Sequence, residues 1–403
     1  MQAKNIRSRI DNSNIIGLGA IAKKEKLKDP LVINSTTGML YDDEGKLFTY
    51  SSVDKVINLL TPEEKYAYFP TGGTKLFKDE IKKWVFGTSY ELIKEYSDVI
   101  PTPGGTGALA NTFANFLNDN DYALLPNYMW TNYVQILDDS NKLYKTYDLF
   151  LNNSFNLNDL KNKAKEILKL KKRVLIVLND PAQNPTGYTL KPNEIDDLVD
   201  ALNDLKNDGE VILLLDAAYI DYADSYDKTR LNLSKYLRLD DEILLIIAFS
   251  ASKSFGLYGL RVGAQIILSK NKDVLYDSYE SCVYSARSKW SNTSSLGISL
   301  VSKILNDEKL KNDYLKELDE SRLMLKRRSD LFKDLVKKYH LNILPYDAGF
   351  FSSIPLDNPK LVYENLKKKK LHLIPFDTSL RITLSSITCD EIKRMVEILK
   401  DEI

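Results

Sequence analysis

The sequence predicts an α/β protein whose centre is a mostly parallel sheet covered by helices. Three observations carry this. Continuous apolar runs at Val174–Leu178, Val211–Leu215 and Ile243–Phe249 lack the alternation of a one-sided strand. They fit parallel strands buried on both faces. Helical segments alternate with those runs, which is the pattern of βαβ units. Finally, each run stops at polar residues, and in such sheets a ligand lies beyond the carboxyl ends of the strands.

The first 49 residues are short and mixed. Asn34-Ser35-Thr36-Thr37-Gly38 reads as a loop able to approach a ligand through its backbone. Asp42 to Lys46 reads as a turn, and residues 53–60 and 74–86 as helices. Between those helices Tyr66 to Gly73 is an aromatic loop closed by glycines, which turn chemistry alone would explain. Residues 98–103 are extended. Gly104-Gly105-Thr106-Gly107 then opens a helix that runs to about Leu117. Glycines at a helix start leave several N–H groups free to face one anion. The Gly-Lys-Ser/Thr ending of a P-loop is absent. Asp121 to Trp130 is a strand entering an aromatic loop, and Trp130 by itself reads as core more readily than as a cofactor platform.

The run Val174–Leu178 ends in Asn179-Asp180-Pro181-Ala182-Gln183-Asn184-Pro185-Thr186-Gly187, and residues 192–207 follow as a helix. The run Val211–Leu215 ends in Asp216-Ala217-Ala218-Tyr219. The third run ends in Ser250-Ala251-Ser252-Lys253, and a further strand is expected from Val262 to Leu268. A lysine at the end of a buried strand is costly unless it is used. One use is as an amine that condenses with an aldehyde to give a Schiff base. Eight residues on, Arg261 offers a fork suited to phosphate. Lysine among phosphate ligands suggests a phosphorylated aldehyde, pyridoxal phosphate. This window alone leaves a strand-edge lysine with its head in water as an equal reading. The shared strand-end placement of Asn184, Asp216, Lys253 and the 104–107 glycines is what points to one site.

Beyond this region, about 306–339 is amphipathic and heavily charged, as a long helix would be. The basic run Lys367–Lys370 reads as a helix end. Ser379 to Leu384 reads as a short strand with one inward arginine, Arg381, of a kind that pairs structurally or binds a carboxylate.

Composition limits the function classes. The 403 residues hold 56 Lys+Arg against 56 Asp+Glu, so bulk charge favours neither nucleic acid nor a membrane surface. Two cysteines, Cys282 and Cys389, make no disulfide framework and fit a reducing compartment. Two histidines, His340 and His372, supply no usual zinc site. Met1 to Ile10 is polar and charged, so a signal peptide is not expected there. No apolar run reaches the roughly 20 residues of a membrane helix. The expectation is a soluble cytoplasmic protein.

Three motifs in chain order resemble one known family. Asn184-Pro185-Thr186-Gly187, Asp216-Ala217-Ala218-Tyr219 and the window Ser250 to Gly263, with Arg381 near the end, are similar to those of class I, fold type I, pyridoxal-phosphate-dependent aminotransferases. The likeness runs from about Asp11 to the C-terminus and is greatest to the aspartate and aromatic aminotransferases. It implies a seven-stranded, mostly parallel sheet in a large domain of about 50–305. A smaller α+β domain would be formed by 1–49 and 306–403. It implies a ping-pong transfer of an amino group between an L-amino acid, aspartate or glutamate and in some members aromatic, and a 2-oxo acid.

The resemblance also assigns roles. Lys253 would hold the cofactor and Asp216 would keep its ring nitrogen protonated. Tyr219 and Asn184 would bond its phenolic oxygen, and Trp130 would stack on the ring. Gly105, Thr106, Ser250 and Arg261 would hold the phosphate, joined by Tyr68 from the neighbouring subunit of a homodimer. Arg381, with the backbone near Gly38, would clamp the α-carboxylate. Arg287, followed by Trp290-Ser291-Asn292, would reach across the dimer to the distal carboxylate. Three departures stand out. Gly104 replaces a frequent serine, and Tyr133 and Asn179 stand where aspartate aminotransferases tend to carry supporting histidines. A carbon–sulfur β-lyase or a decarboxylase of the same fold would share the core motifs, and a non-enzymatic sensor built on this fold is a further alternative.

Overall fold

A computed structural model describes residues 15–403. The expectation for Met1–Ile10, and the start of the resemblance at Asp11, lie outside the described residues. The centre is a seven-stranded sheet. Its strands are β1 (Ser97–Pro103), β2 (Tyr122–Pro126), β3 (Leu143–Tyr147), β4 (Arg173–Asn179), β5 (Glu210–Asp216), β6 (Leu244–Ser250) and β7 (Val262–Leu268). Their spatial order is β1-β7-β6-β5-β4-β2-β3. Strands β6, β5, β4, β2 and β3 run parallel, whereas β7 is antiparallel to both neighbours, β6 and β1. Periodicity announced β7 as a strand but carries no information on its direction.

Register aligns the chemistry. Asn179 at the end of β4 lies opposite Asp216 at the end of β5, which lies opposite Ala248 in β6. Ser250 at the end of β6 is opposite Gly263 in β7, and Gly263 is opposite Thr102 in β1. Every residue of β6 and β7 is buried, as a two-sided sheet requires. One apolar cluster lies on each side of the sheet, so alternate residues of β5 fall in different clusters: Leu213 and Leu215 in one, Ile212 and Leu214 in the other.

Helices appear close to where the sequence put them, at Ser51–Leu59, Lys75–Phe86, Gly104–Phe116, Pro192–Leu205 and Pro359–Lys368. The helix Ile15–Lys28 lies in a segment read as short and mixed. Its apolar first half and basic second half give no clear stripe, and two glycines interrupt it. A third apolar cluster holds Ile33, Leu380, Ile382 and Met395 beside a three-stranded sheet formed by Phe351–Pro355, Ser379–Thr383 and Ile374–Pro375. The 32-residue helix Glu308–Tyr339 joins the two regions. Its Tyr314, Leu318 and Leu325 belong to the main core, and its Phe332 to the third cluster.

Candidate active site

The parallel strands deliver their terminal residues to one cavity of about 180 Å³. It is lined by Gly105 and Thr106 from a helix start, Trp130, Asn179 at the end of β4 and Asn184 beyond it, Asp216 at the end of β5 and Tyr219 beyond it, and Ser250, Ser252, Lys253 and Arg261 around the β6–β7 turn. Nine residues singled out from the sequence therefore converge: Gly105, Thr106, Trp130, Asn184, Asp216, Tyr219, Ser250, Lys253 and Arg261.

Asp216 is 5 % exposed, and burial pushes its carboxyl above the usual range. Donors oppose that. The Tyr133 hydroxyl donates to Oδ2 at 2.6 Å, and the Ala218 N–H donates to Oδ1 at 3.2 Å. Asn179 braces the same point from below. Its Nδ2 donates to the Asp216 carbonyl at 2.8 Å, and its Oδ1 accepts the Asn184 N–H at 2.8 Å. The two departures from histidine at 133 and 179 are thus both tied to Asp216.

Lys253 sits just past β6 in a single helical turn, Ala251–Ser254. Its Nζ lies 5.0 Å from the ring centre of Tyr258 and 5.9 Å from that of Tyr219. Burial, and then the Arg261 charge, push its pKa down to about 8. An amine with that value is partly neutral, hence nucleophilic, near neutral pH. Arg261 donates through Nη1 to Ser252 Oγ at 3.1 Å and to the Tyr258 carbonyl at 2.9 Å. Its guanidinium lies against Gly104, where a Cβ would stand 2.6 Å from Nη2. The serine-to-glycine departure at 104 accordingly leaves room for the arginine.

Arg381 enters from the three-stranded sheet and is 4 % exposed. Its Nη1 donates to Asn184 Oδ1 at 3.2 Å and its Nη2 to the Thr36 carbonyl at 3.0 Å. Its guanidinium carbon stands 4.4 Å from the Phe351 ring centre. Nε is buried with no hydrogen-bond partner. Burial lowers its pKa to about 10, so it remains a cation at neutral pH. A buried cation without a carboxylate is costly, so this one is suited to accept an anion. Gly38 lies close by, since a Cβ there would be 3.1 Å from Phe351 Cζ.

Four residues assigned through the resemblance do not line this cavity: Arg381 and Gly38 adjoin it through Asn184 and Phe351, and Tyr68 and Arg287 stand apart from it. Tyr68 is 91 % exposed. Arg287 is exposed near the end of the helix Lys272–Lys289 and donates through Nη1 to Ser291 Oγ. Tyr133 and Asn179 carry more of the site than their labels as departures implied. A tyrosine three positions after Trp130, at the start of a helix, was the available signal for Tyr133. For Asn179 it was its place as the last residue of a buried strand.

The donor set fits pyridoxal phosphate. Helix-start glycines, two serine hydroxyls and Arg261 form an anion cradle. Asp216 is a carboxylate without an ion-pair partner among the described residues, and Lys253 is an amine of lowered pKa. A wider groove of about 440 Å³ lies between residues 222–225 and the long helix. Its charges pair among themselves, as in Lys326–Asp330 and Arg322–Asp319, and do not converge on a ligand. Among the described residues no group of three or more acids, cysteines or histidines could hold a metal, and no helix is long and apolar enough to cross a membrane.

Comparison with known proteins agrees with this geometry. The family described as "Aminotransferase class I and II" matches residues 32–399. The aspartate aminotransferase of Haemophilus influenzae is 27 % identical over 391 residues, covering 95 % of this chain and 96 % of that protein. The aromatic-amino-acid aminotransferase of Escherichia coli is 26 % identical over 332 residues, covering 79 % and 81 %. The crystal structure of an aminotransferase from Anaerococcus prevotii superposes with a TM-score of 0.95 at 28 % identity, covering 100 % of this chain and 98 % of that one. The chain belongs to the class I and II aminotransferases.

Proposed function

We propose that this protein is a pyridoxal-phosphate-dependent transaminase that moves an amino group between aspartate or glutamate and a 2-oxo acid by a ping-pong route, with aromatic amino acids as further substrates. The observation that carries the reading is the convergence of Lys253, Asp216 and Arg261 on one cavity, with the buried Arg381 bonded to its rim at Asn184. The Haemophilus and E. coli relatives bear the names of aspartate and aromatic-amino-acid aminotransferases.

When bound, the cofactor supplies a protonated pyridine ring that accepts electrons from the substrate's α-carbon. The protein's own part is binding, orientation and proton transfer. Gly105, Thr106, Ser250 and Arg261 would hold the phosphate, and Asp216 would balance the ring's positive charge. Tyr219 and Asn184 would bond its phenolic oxygen, and Trp130 would cover its face. Arg381 receives the α-carboxylate with the backbone near Gly38 beside it. This orients the α C–H bond toward Lys253, whose Nζ takes the proton and returns it. Tyr68 and Arg287, exposed in one chain, reach the phosphate and the distal carboxylate of a second copy in a homodimer. The large domain of this reading spans about 50–305, and 1–49 with 306–403 form the smaller one.

Incubation with aspartate and 2-oxoglutarate tests the activity. Equal amounts of glutamate and oxaloacetate, with no gas released, are expected. Release of carbon dioxide, or of a thiol from a sulfur amino acid, without glutamate formation would replace transamination by decarboxylase or β-lyase chemistry.

A further inference from the structure

We propose that Tyr133 is a positioning residue, whose phenol fixes one oxygen of Asp216 and keeps that carboxylate ionised and facing the cofactor's ring nitrogen. The inference rests on the function proposed above and names a residue that reading left without a role.

Tyr133 is fully buried in the short helix Asn132–Asp139, directly after the loop that carries Trp130. Its N–H donates to the Trp130 carbonyl at 3.1 Å, and the two rings stand edge to face with centres 5.6 Å apart. The aromatic that lines the cavity therefore orients the phenol behind it. The hydroxyl donates to Asp216 Oδ2 at 2.6 Å, the length of a bond to a charged acceptor. With the Ala218 N–H on Oδ1, each carboxylate oxygen has one neutral donor.

Neutral donors do what an ion pair could not. A cation paired with Asp216 inside the protein would satisfy its charge and compete with the pyridinium. Two neutral donors instead stabilise the carboxylate against burial and leave its charge uncompensated, to be met by the ligand. A phenol is suited to this place because it stays protonated. Burial and the Asp216 charge both raise its pKa well above the ordinary tyrosine value. An imidazole in its place would change charge near neutral pH. Asn179, on the Asp216 carbonyl, anchors the backbone in the same non-titrating way.

The test is a double-mutant cycle on the reconstituted enzyme, with Tyr133→Phe, Asp216→Asn and the pair. Two quantities are read: the dissociation constant of pyridoxal phosphate from equilibrium dialysis, and the ¹⁵N resonance of its isotopically labelled ring nitrogen. Tyr133→Phe should weaken cofactor binding about 10- to 100-fold, the effect of losing a hydrogen bond to a charged group. It should also move the ring-nitrogen resonance. In the Asp216→Asn background the same change should matter less than about 2-fold, because the bond acts through the carboxylate. Equal effects in both backgrounds would show a packing role and overturn the proposal, as would an unchanged resonance. Incorporating 3-fluorotyrosine at 133 keeps the shape and strengthens the donor, so a resonance shift is expected even if the phenylalanine variant fails to fold. No shift there overturns the proposal. Wild type that takes up no pyridoxal phosphate at Lys253 overturns the functional reading and this one together. Wild type that takes it up, with a resonance indifferent to position 133, overturns this one alone.

Discussion

The two ends of the cavity are built in different ways. At the cofactor end Asp216, Ser250 and Lys253 lie at or just past adjacent strands of one sheet, and main-chain register holds them in place. At the substrate end Arg381 arrives from a separate three-stranded sheet and is held by Asn184, in the loop after β4, and by the Thr36 carbonyl of the N-terminal segment. Tyr68 and Arg287 stand in solvent. On the proposed reading one chain supplies every cofactor contact but that of Tyr68, whereas the distal carboxylate is met by Arg287 of a second copy. Rigid strand ends suit a resident group, and surfaces that meet from different bodies suit a ligand that enters and leaves.

If the cofactor end is organised around the strand-end lysine, that residue should have the largest effect. Lys253→Ala should lose roughly 10⁴-fold in turnover, since the nucleophile and the proton carrier vanish together. Borohydride treatment of wild type should fix the cofactor to Lys253 alone, as read by peptide mapping. A reduced adduct on another lysine would break the comparison at its centre. Asp216→Ala comes next. It should retain the cofactor through Lys253 and the phosphate cradle, yet lose about 10²- to 10³-fold in α-proton removal, followed by deuterium exchange at the substrate's Cα. Near-normal exchange would show that the carboxylate is structural.

The substrate end is tested through Arg287. Arg287→Ala should reduce kcat/KM for aspartate and glutamate by about 2–4 kcal/mol, the range for truncating one partner of a charge pair. Phenylalanine and tyrosine should be much less affected. A variant that loses all substrates equally would mean that the arginine does not measure the distal carboxylate.

The unequal construction also explains what the sequence revealed. Sheet-built features were legible because burial on both faces writes a continuous apolar run, and the residue that ends each run is then conspicuous. Asp216 and Lys253 were found that way. The antiparallel sense of β7 was not, since hydrophobic pattern is blind to direction. Tyr133 was marked only as a departure, because its bond to Asp216 spans 83 positions and a buried phenol reads as core. The helix Ile15–Lys28 left no stripe to find. Tyr68 and Arg287 were legible only by resemblance, for nothing in their local sequence separates them from other exposed side chains.

The lowered pKa of Lys253 gives a pH test of the cofactor end. Only the neutral amine attacks an aldehyde, and burial beside Arg261 brings its pKa to about 8. Capture of pyridoxal phosphate by the apoenzyme should therefore accelerate as pH rises and level off above about 8.5. From pH 6.5 to 9 the neutral fraction grows about 30-fold, which stopped-flow absorbance can follow. A rate still climbing toward pH 10 would place the amine near its ordinary value.

The smallest expected effect compares two glycines, one at each end. Gly104 has φ +71°, and a Cβ there would lie 2.6 Å from Arg261 Nη2. Gly104→Ala thus incurs a left-handed backbone, roughly 1–2 kcal/mol, and displaces the guanidinium from its bonds to Ser252 and the Tyr258 carbonyl. The arginine end is flexible, so it can shift, and the loss should be about 5- to 10-fold in cofactor affinity with KM for the amino acid little changed. At Gly38 the neighbour is the Phe351 ring at 3.1 Å, the ring on which Arg381 rests. Gly38→Ala should therefore raise KM for the amino acid several-fold and leave cofactor affinity alone. Equilibrium dialysis and steady-state kinetics on the two variants separate these outcomes. If both variants shift both quantities together, the two ends are one mechanical unit, and the division drawn between them is wrong.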